Sequence, residues 1–373
     1  MSVLQDLKKY LPKVQDALSD LKEIDSYLNE ISQVGSELSK ADLKQIKAAS
    51  FKAASDYGKA ATDYLAAMRE MSRAGYENSE EITRLSLALQ NAGDMTAETA
   101  GQYIAATDEA YRLGGSVTEL TKVLDGASHV ASRHSVNMTE LANGMRLAGS
   151  TAAGLGVEAD EATAALGTMM TATSRGGTEA AKALKAILLN TSQVADETEG
   201  IDATGLSRYE KACEALNVKL RETRNGVLSL RDPMEVLGEL ADAYNRLGNA
   251  DVRKQNLLEA VGGKETAVQL DALLGQWKTY EQMLGECQSG TGTMAEAAAK
   301  SASSWEGSAN RLANAWAGFI SSIAGSEAVI KATDALSGLL GGLTALAGKM
   351  EELPALGTAL GAFLTFKNVG VSK

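Results

Sequence analysis

The sequence has few of the residues that carry chemistry in enzymes and metal sites, with two cysteines and two histidines among 373 residues. Cys213 and Cys287 are too far apart in sequence for a disulfide framework or a zinc site of the usual spacing. His129 and His134 are five residues apart, which puts them on different sides of a helix. We therefore expect no metal site and no histidine-based nucleophilic triad.

Aromatic residues and prolines are also scarce. Aromatics make up 5% of the chain and there are three prolines, although apolar residues reach 45%. The apolar fraction is carried by residues such as Ala and Leu, which lose little entropy in a helix, while the usual strand formers are few. The composition therefore predicts an all-α fold without a sheet.

Basic residues are also fewer than acidic ones, which gives a net charge of −12 and a pI of about 4.9. Phosphate recognition requires a concentrated basic face, so we expect no specific nucleic-acid binding. Charges also interrupt the N-terminal stretch MSVLQDLKKYL, where a secretory signal requires a continuous apolar run. We expect the protein to begin in the cytoplasm, where free cysteines are normal.

Two short motifs resemble catalytic sites superficially. Glu158, Asp160 and Glu161 could supply the paired carboxylates of a glycan-cutting enzyme. They follow Gly156 and open an apolar helix, however, so we interpret them as helix-capping acids. The segment VGGKETA from Val261 lacks the first glycine and the Ser or Thr of a phosphate-binding loop. We expect no catalytic, cofactor-binding or metal-binding residue.

The first 40 positions carry apolar residues in steps of three and four, from Leu4 to Leu38. This spacing is typical of a coiled-coil seam. Pro12 predicts a helix start or a kink, so we expect the regular coil over residues 13–40. The seam has two interpretations: self-association through residues 13–40, or one amphipathic helix packed on its own domain, against residues 41–70.

From residue 41 to about 285, helix start and stop signals alternate. A capping residue precedes Glu by three positions at four places: Asn78 with Glu81, Ser116 with Glu119, Asn137 with Glu140, and Asp232 with Glu235, where Pro233 is the first helical residue. Glycines are expected to end helices in the left-handed conformation at Gly75, Gly93, Gly114, Gly115, Gly156, Gly248, Gly262 and Gly263. One apolar stripe joins Leu270, Leu273, Leu274, Trp277 and Leu284. These signals predict helices of about 10 to 20 residues.

After about residue 286 the composition shifts to Ala, Gly and Ser, with Trp305 and Trp316 as expected large anchors. Two uncharged runs, 335–348 and 353–366, are shorter than the roughly 18–20 residues that span a bilayer as a helix. They are interpreted as core helices or as a hairpin that contacts the host membrane through residues 335–366.

The predicted architecture therefore has three parts. A coiled-coil-like N-terminal region of amphipathic helices occupies residues 1–56, and a multi-helix bundle of short capped helices occupies 57–285. An apolar, Gly/Ala-rich helical region occupies residues 286–373.

The stretch from Leu141 to Asn190, LANGMRLAGSTAAGLGVEADEATAALGTMMTATSRGGTEAAKALKAILLN, resembles the conserved core of phage tail tape measure proteins. The resemblance continues in LRDPMEVLGELADAYNRLG from Leu230, VRKQNLLEAVGGK from Val252 and WKTYEQMLGECQSGTGTMAEA from Trp277. Upstream, YLAAMREMSRAGYENSEEITRLSLALQNAGDM is similar to the version found in prophages of Gram-positive bacteria. Order and spacing carry the resemblance, which covers most of residues 57–320.

This resemblance implies a non-enzymatic structural protein, part of a longer parent, that helps set tail length during assembly. Such a protein is in the host cytoplasm during assembly and then in the lumen of the virion's tail tube until ejection. The implied partners are the tail tube protein, tail assembly chaperones and tail tip or baseplate proteins. Two other functions remain open: a helical scaffold of a tail-associated lytic enzyme, and a membrane-perturbing helical protein.

Overall fold

The computed structural model describes residues 3–34, 38–76, 80–192, 207–224 and 227–323. Sixteen α-helices and one β-hairpin form in these ranges, which confirms the predicted all-α fold. The helices are α1 Val3–Val34, α2 Lys40–Asp56, α3 Ala61–Arg73, α4 Glu80–Gly93, α5 Ala97–Tyr111, α6 Val117–Arg133, α7 Met138–Gly154, α8 Ala159–Thr173, α9 Gly177–Ser192, α10 Arg208–Glu214, α11 Pro233–Arg246, α12 Val252–Ala260, α13 Lys264–Gly275, α14 Trp277–Ser289, α15 Thr293–Ser303 and α16 Trp305–Ile323.

The chain separates into two compact units. The larger unit is Ser26–Arg311 and holds α2 to α15. The other combines Met1–Asp25 with Leu312–Lys373, and within it the structure describes residues 3–25 and 312–323. The two apolar runs, 335–348 and 353–366, lie outside the described residues.

The core of the larger unit is built around α8, which is buried on nearly all sides. Helices α6, α7, α9, α13 and α14 pack against it. A Cβ atom at Gly167 of α8 would lie 2.9 Å from Met283 Sδ, so glycine is required for the close approach of α14. A Cβ at Gly177 would overlap the carbonyl oxygen of Glu140 where α9 meets α7. Glycine therefore makes room for the Met283 side chain against α8 and for backbone contact between α7 and α9.

The N-terminal helix differs from its prediction at both ends. Helix α1 runs from Val3 through Pro12, so a helix start at Pro12 is wrong. It ends at Val34, and the predicted continuation of the coil to residue 40 is also wrong. Ser39 begins α2 instead, because its hydroxyl accepts the backbone N–H of Asp42 while the Asp42 carboxylate accepts that of Ser39.

The expected apolar seam of α1 is buried from Leu21 to Ile31 and is exposed at Val34. Leu21, Ile24, Leu28 and Ile31 are buried within a single chain. In the larger unit, Glu30 pairs with Arg69 of α3 at 3.1 Å, which ties the end of α1 to its own domain. The burial supports packing on the same chain, whereas self-association through residues 13–40 stays a prediction.

Three of the predicted helix caps are confirmed. The side chains of Ser116, Asn137 and Asp232 each accept the backbone N–H of the Glu three residues later. Asp232 also accepts the N–H of Met234, and Pro233 is the first residue of α11. The fourth predicted cap, Asn78, lies outside the described residues.

Six of the eight predicted glycines have the left-handed conformation, although Arg112, not Gly114 or Gly115, is the left-handed residue that ends α5. Positive φ angles occur at Gly75, Gly114, Gly115, Gly156, Gly262 and Gly263. Gly93 is instead the last residue of α4, where a Cβ would lie 2.8 Å from Met138 Cγ, and the left-handed residue is Asp94. Helix α11 ends at Arg246, and its C-cap residue Leu247 is extended, so Gly248 is not a left-handed stop.

Three further expectations need correction. A hairpin of β1 Arg221–Arg224 and β2 Val227–Leu230 is present although no strand was predicted. The stripe from Leu270 to Leu284 is divided between α13 and α14, which break at Gln276. Trp305 is no buried anchor, since it is 91% exposed. The side chain of Trp316 lies outside the described residues.

The cap of α11 gives a first prediction. Asp232→Ala removes the acceptor of two orphan amides and should lower the free energy of unfolding by about 0.5–2 kcal/mol. Asp242→Ala, an exposed change on the same helix, should stay within about 0.5 kcal/mol of the original protein. Urea unfolding measures both, and an unchanged midpoint for Asp232→Ala would contradict the assignment.

The seam of α1 gives a second prediction. Leu28→Asp and Ile31→Asp each bury an unpaired charge and should cost at least about 2 kcal/mol of unfolding free energy. The control Val34→Asp changes a residue that is 41% exposed on the same helix. Light scattering should give the mass of one chain throughout. A dimer that Leu28→Asp dissociates without loss of folding would favour self-association instead.

Candidate functional site

The acidic cluster singled out in the sequence is at the start of α8. Glu158 is the N-cap residue, and its backbone N–H donates to Glu161 Oε2 at 2.9 Å. Asp160 and Glu161 are in the first turn, as predicted for capping acids. The three acids therefore occupy one helix end, where they complement the helix dipole.

Burial sets the electrostatics of this cluster. It raises the pKa of Asp160, which Lys122 opposes and Glu158 reinforces through their charges. It also raises the pKa of Glu161, although the hydrogen bond from the Glu158 backbone lowers it in part. Both carboxylates therefore ionise at some cost to the folded state.

The two histidines contact the same corner of the fold, between α14 and α15. His134 Nε2 is 2.7 Å from Glu286 Oε2, and His129 Nδ1 is 3.2 Å from Thr293 Oγ1. Only His129 is on α6; His134 is the C-cap residue, in an extended conformation, so the two histidines do not occupy two sides of one helix as predicted. The shared corner could not be predicted from sequence because its residues are more than 150 positions away.

Asp125, one turn before His129 on α6, is a functional position that the sequence prediction missed. Its carboxylate accepts the backbone N–H of Gly292 at 2.7 Å and of Met294 at 2.9 Å. Gly292 is the N-cap residue of α15 and has no side chain for this role. Asp125 is buried and caps α15 from another helix.

Charge at this corner favours the ionised form of Glu286. Partial burial raises its pKa, but hydrogen bonds from Gln282 and His134 outweigh burial, and the charge of Arg133 adds to them. The pKa of Glu286 is therefore below its usual value. The corner is held by a carboxylate on each side, Asp125 on α6 and Glu286 on α14.

The remaining candidates also have structural positions. Burial raises the pKa of the Cys213 and Cys287 thiols, which suppresses the reactive thiolate. Gly262 and Gly263 have φ angles of 82° and 78°, which form the turn into α13. Asn190 donates to the carbonyl oxygen of Val261 at 3.1 Å and anchors that turn.

In the part of the chain that the structure describes, no three His, Cys, Asp or Glu side chains are grouped so that they could hold a metal ion. Likewise, none of the helices described combines the length and the apolar character required to cross a membrane.

The fold and these contacts define an all-α protein in which polar side chains hold helix ends. Residues 51–263 match the phage-related minor tail protein family, and the chain belongs to that family. It is a structural protein of the phage tail and associates with other tail proteins in the virion. No solved structure matches the chain.

The half-buried carboxylate of Asp160 on α8 gives a third prediction. Because the folded-state pKa of Asp160 is raised, stability is lost as the pH rises from the ordinary value of 3.8 through the folded value. Asp160→Asn should therefore raise the unfolding midpoint at pH 7 and have little effect below pH 3.8. The control Asp242→Asn, on the exposed face of α11, should leave the pH profile unchanged. A loss of stability at pH 7 for Asp160→Asn would contradict this account.

Proposed function

We propose that the chain is part of a tape measure protein, which sets tail length during assembly and occupies the tail tube lumen until ejection. The observation that supports this proposal is that the family match over residues 51–263 includes most of the segments that resemble tape measure proteins. The proposed partners are the tail tube protein, assembly chaperones and tail tip or baseplate proteins. The role needs no cofactor and no catalytic residue, and assembly occurs in the host cytoplasm.

A protein that sets tail length must become longer as its number of residues increases. A compact helical unit gains little length in this way. Helix α7 has 17 residues and advances about 25 Å. Helices α8 and α9 then pack back against it, so their residues add little further length. We therefore assign the segment whose length determines tail length to an extended helical stretch elsewhere in the parent protein. The larger unit either docks at one end of the tail or unfolds into the tube.

The three-part division at residues 56 and 285 remains part of this proposal, as does membrane contact through residues 335–366 on ejection. Residues 264–311 pack with the matched family segment in one compact unit. Variants of the core should therefore be made in a chain that keeps those residues.

The fourth prediction concerns tail length in assembled phage. An in-frame deletion of n residues in the extended stretch should shorten tails by about 1.5n Å. Electron microscopy of negatively stained particles measures the lengths. Tails of normal length in phage that lack the whole gene would contradict the tape measure proposal.

A point substitution separates docking from threading, because it disrupts the fold without changing the number of residues. Leu237→Asp places a charge in the core of the larger unit, whereas Val252→Asp changes a residue that is 64% exposed. If the folded unit docks, Leu237→Asp should abolish assembly and Val252→Asp should not. If the unit is threaded, both variants should give tails of unchanged length.

A further inference from the structure

The last described residues of the larger unit, 293–311, have little buried apolar surface; we call this segment the strap. Its first part is α15, in which only Met294 and Ala298 are buried. The strap packs on α2, α4 and α6. A helix of this length is marginal in water without tertiary contacts, so its anchors determine whether it stays folded.

The first anchor is at the N-terminal end of the strap, on α6. Asp125 accepts the N–H groups of Gly292 and Met294, and His129 Nδ1 is 3.2 Å from Thr293 Oγ1. The two bonds to Asp125 satisfy amides that would otherwise be orphaned at the start of α15, and the contact with His129 adds a link between side chains.

The second anchor is at the other end, beside Gly58. Asn310 Nδ2 donates to the Gly58 carbonyl oxygen at 2.9 Å. Gly58 has a φ of 68°, and a Cβ there would lie 2.7 Å from the carbonyl oxygen of Ser301. The strap therefore rests directly on backbone at this point and has no large side chain inserted there.

A glycine pair joins the strap to the rest of the core. Gly292 has a φ of 75°, and a Cβ at Gly290 would lie 2.7 Å from His129 Cβ. On the other side of this pair, Met283 and Cys287 fix α14 in the core. Gly290 is therefore packed against His129, and the two glycines give this segment a wider choice of backbone conformations once the Asp125 contact is broken, while α14 stays in place.

Helix α4 lies beneath the strap. Its buried residues are Ile82, Thr83, Leu85, Ser86, Leu87, Ala88, Leu89 and Gln90. Ser86 Oγ and Gln90 Nε2 have no hydrogen-bond partner in the part of the chain that the structure describes. Water that reached α4 would hydrate these two atoms, which lowers the cost of uncovering it.

From these contacts we propose that the strap is a releasable element that opens about residues 290–292 as one unit while α7, α8 and α9 stay folded. Its release uncovers α4, and the larger unit opens from there. Release of the strap would occur in the purified chain, with no other tail protein present. Only the use of this release in threading the larger unit into the tail tube rests on the proposed function.

Hydrogen exchange of the full chain, followed by mass spectrometry, tests this directly. Amides of α15 should exchange at least about tenfold faster than those of α7 to α9. Asp125→Asn and Thr293→Val weaken the first anchor and should accelerate exchange of α15 about tenfold, with no change in α7 to α9. Asp242→Asn, on the exposed face of α11, is the matched control and should change neither.

Asn310→Ala at the second anchor tests whether the strap opens as one unit, and also serves if Asp125→Asn does not fold. It should accelerate α15 as well as residues 305–311. Acceleration confined to residues 305–311 would overturn the proposal. Equal exchange of α15 and α7 to α9 in the original chain would also overturn it, because the strap would then open only with the whole unit. Neither result bears on tail length, so the tape measure proposal is tested separately.

Discussion

The backbone amides at helix N-termini are the constraint on which the fold depends. Each short helix leaves up to four N–H groups without an intrahelical partner, and a chain of many short helices has many such groups to satisfy. Ser116 and Asn137 satisfy them locally. Glu140 of α7 does so for Gly177 of α9 at 2.9 Å, and Asp125 of α6 does so for α15. These carboxylates connect helices that are distant in sequence, so capping here also fixes tertiary structure.

Such long-range caps require backbones that lie close together, and small residues provide the space. A Cβ at Gly126 would lie 2.6 Å from the carbonyl oxygen of Cys287, next to the cap that Asp125 forms. A Cβ at Gly177 would overlap the carbonyl oxygen of Glu140, whose side chain caps α9. The Ala-rich composition predicts helix, and glycines at the crossing points make these contacts possible, because packed interiors tolerate little added volume.

The sequence predicted what depends on near neighbours and missed what depends on distant ones. Asp232 and its amides are within three residues, so the cap could be read locally. Asp125 serves amides 167 and 169 residues away, and no local pattern marks it. Arg112 ends α5 with a φ of 53°, in the left-handed region, two residues before the predicted glycine stop at Gly114. The hairpin had a local signal that was overlooked, since Asn225-Gly226 between two short runs is typical of a two-residue turn.

The end of the family match at residue 263 is a boundary in sequence similarity that packing does not follow. Leu273 of α13, Met283 of α14 and Met294 of α15 belong to the same hydrophobic core as Leu166 of α8. The hydroxyl of Thr168 also donates to Met283 Sδ at 3.6 Å across this boundary. A chain cut at residue 263 would expose the face of α8 that α14 covers and leave α6 without its corner contacts. The segment shared with the family is therefore a part of the folding unit, which must include the helices that follow it.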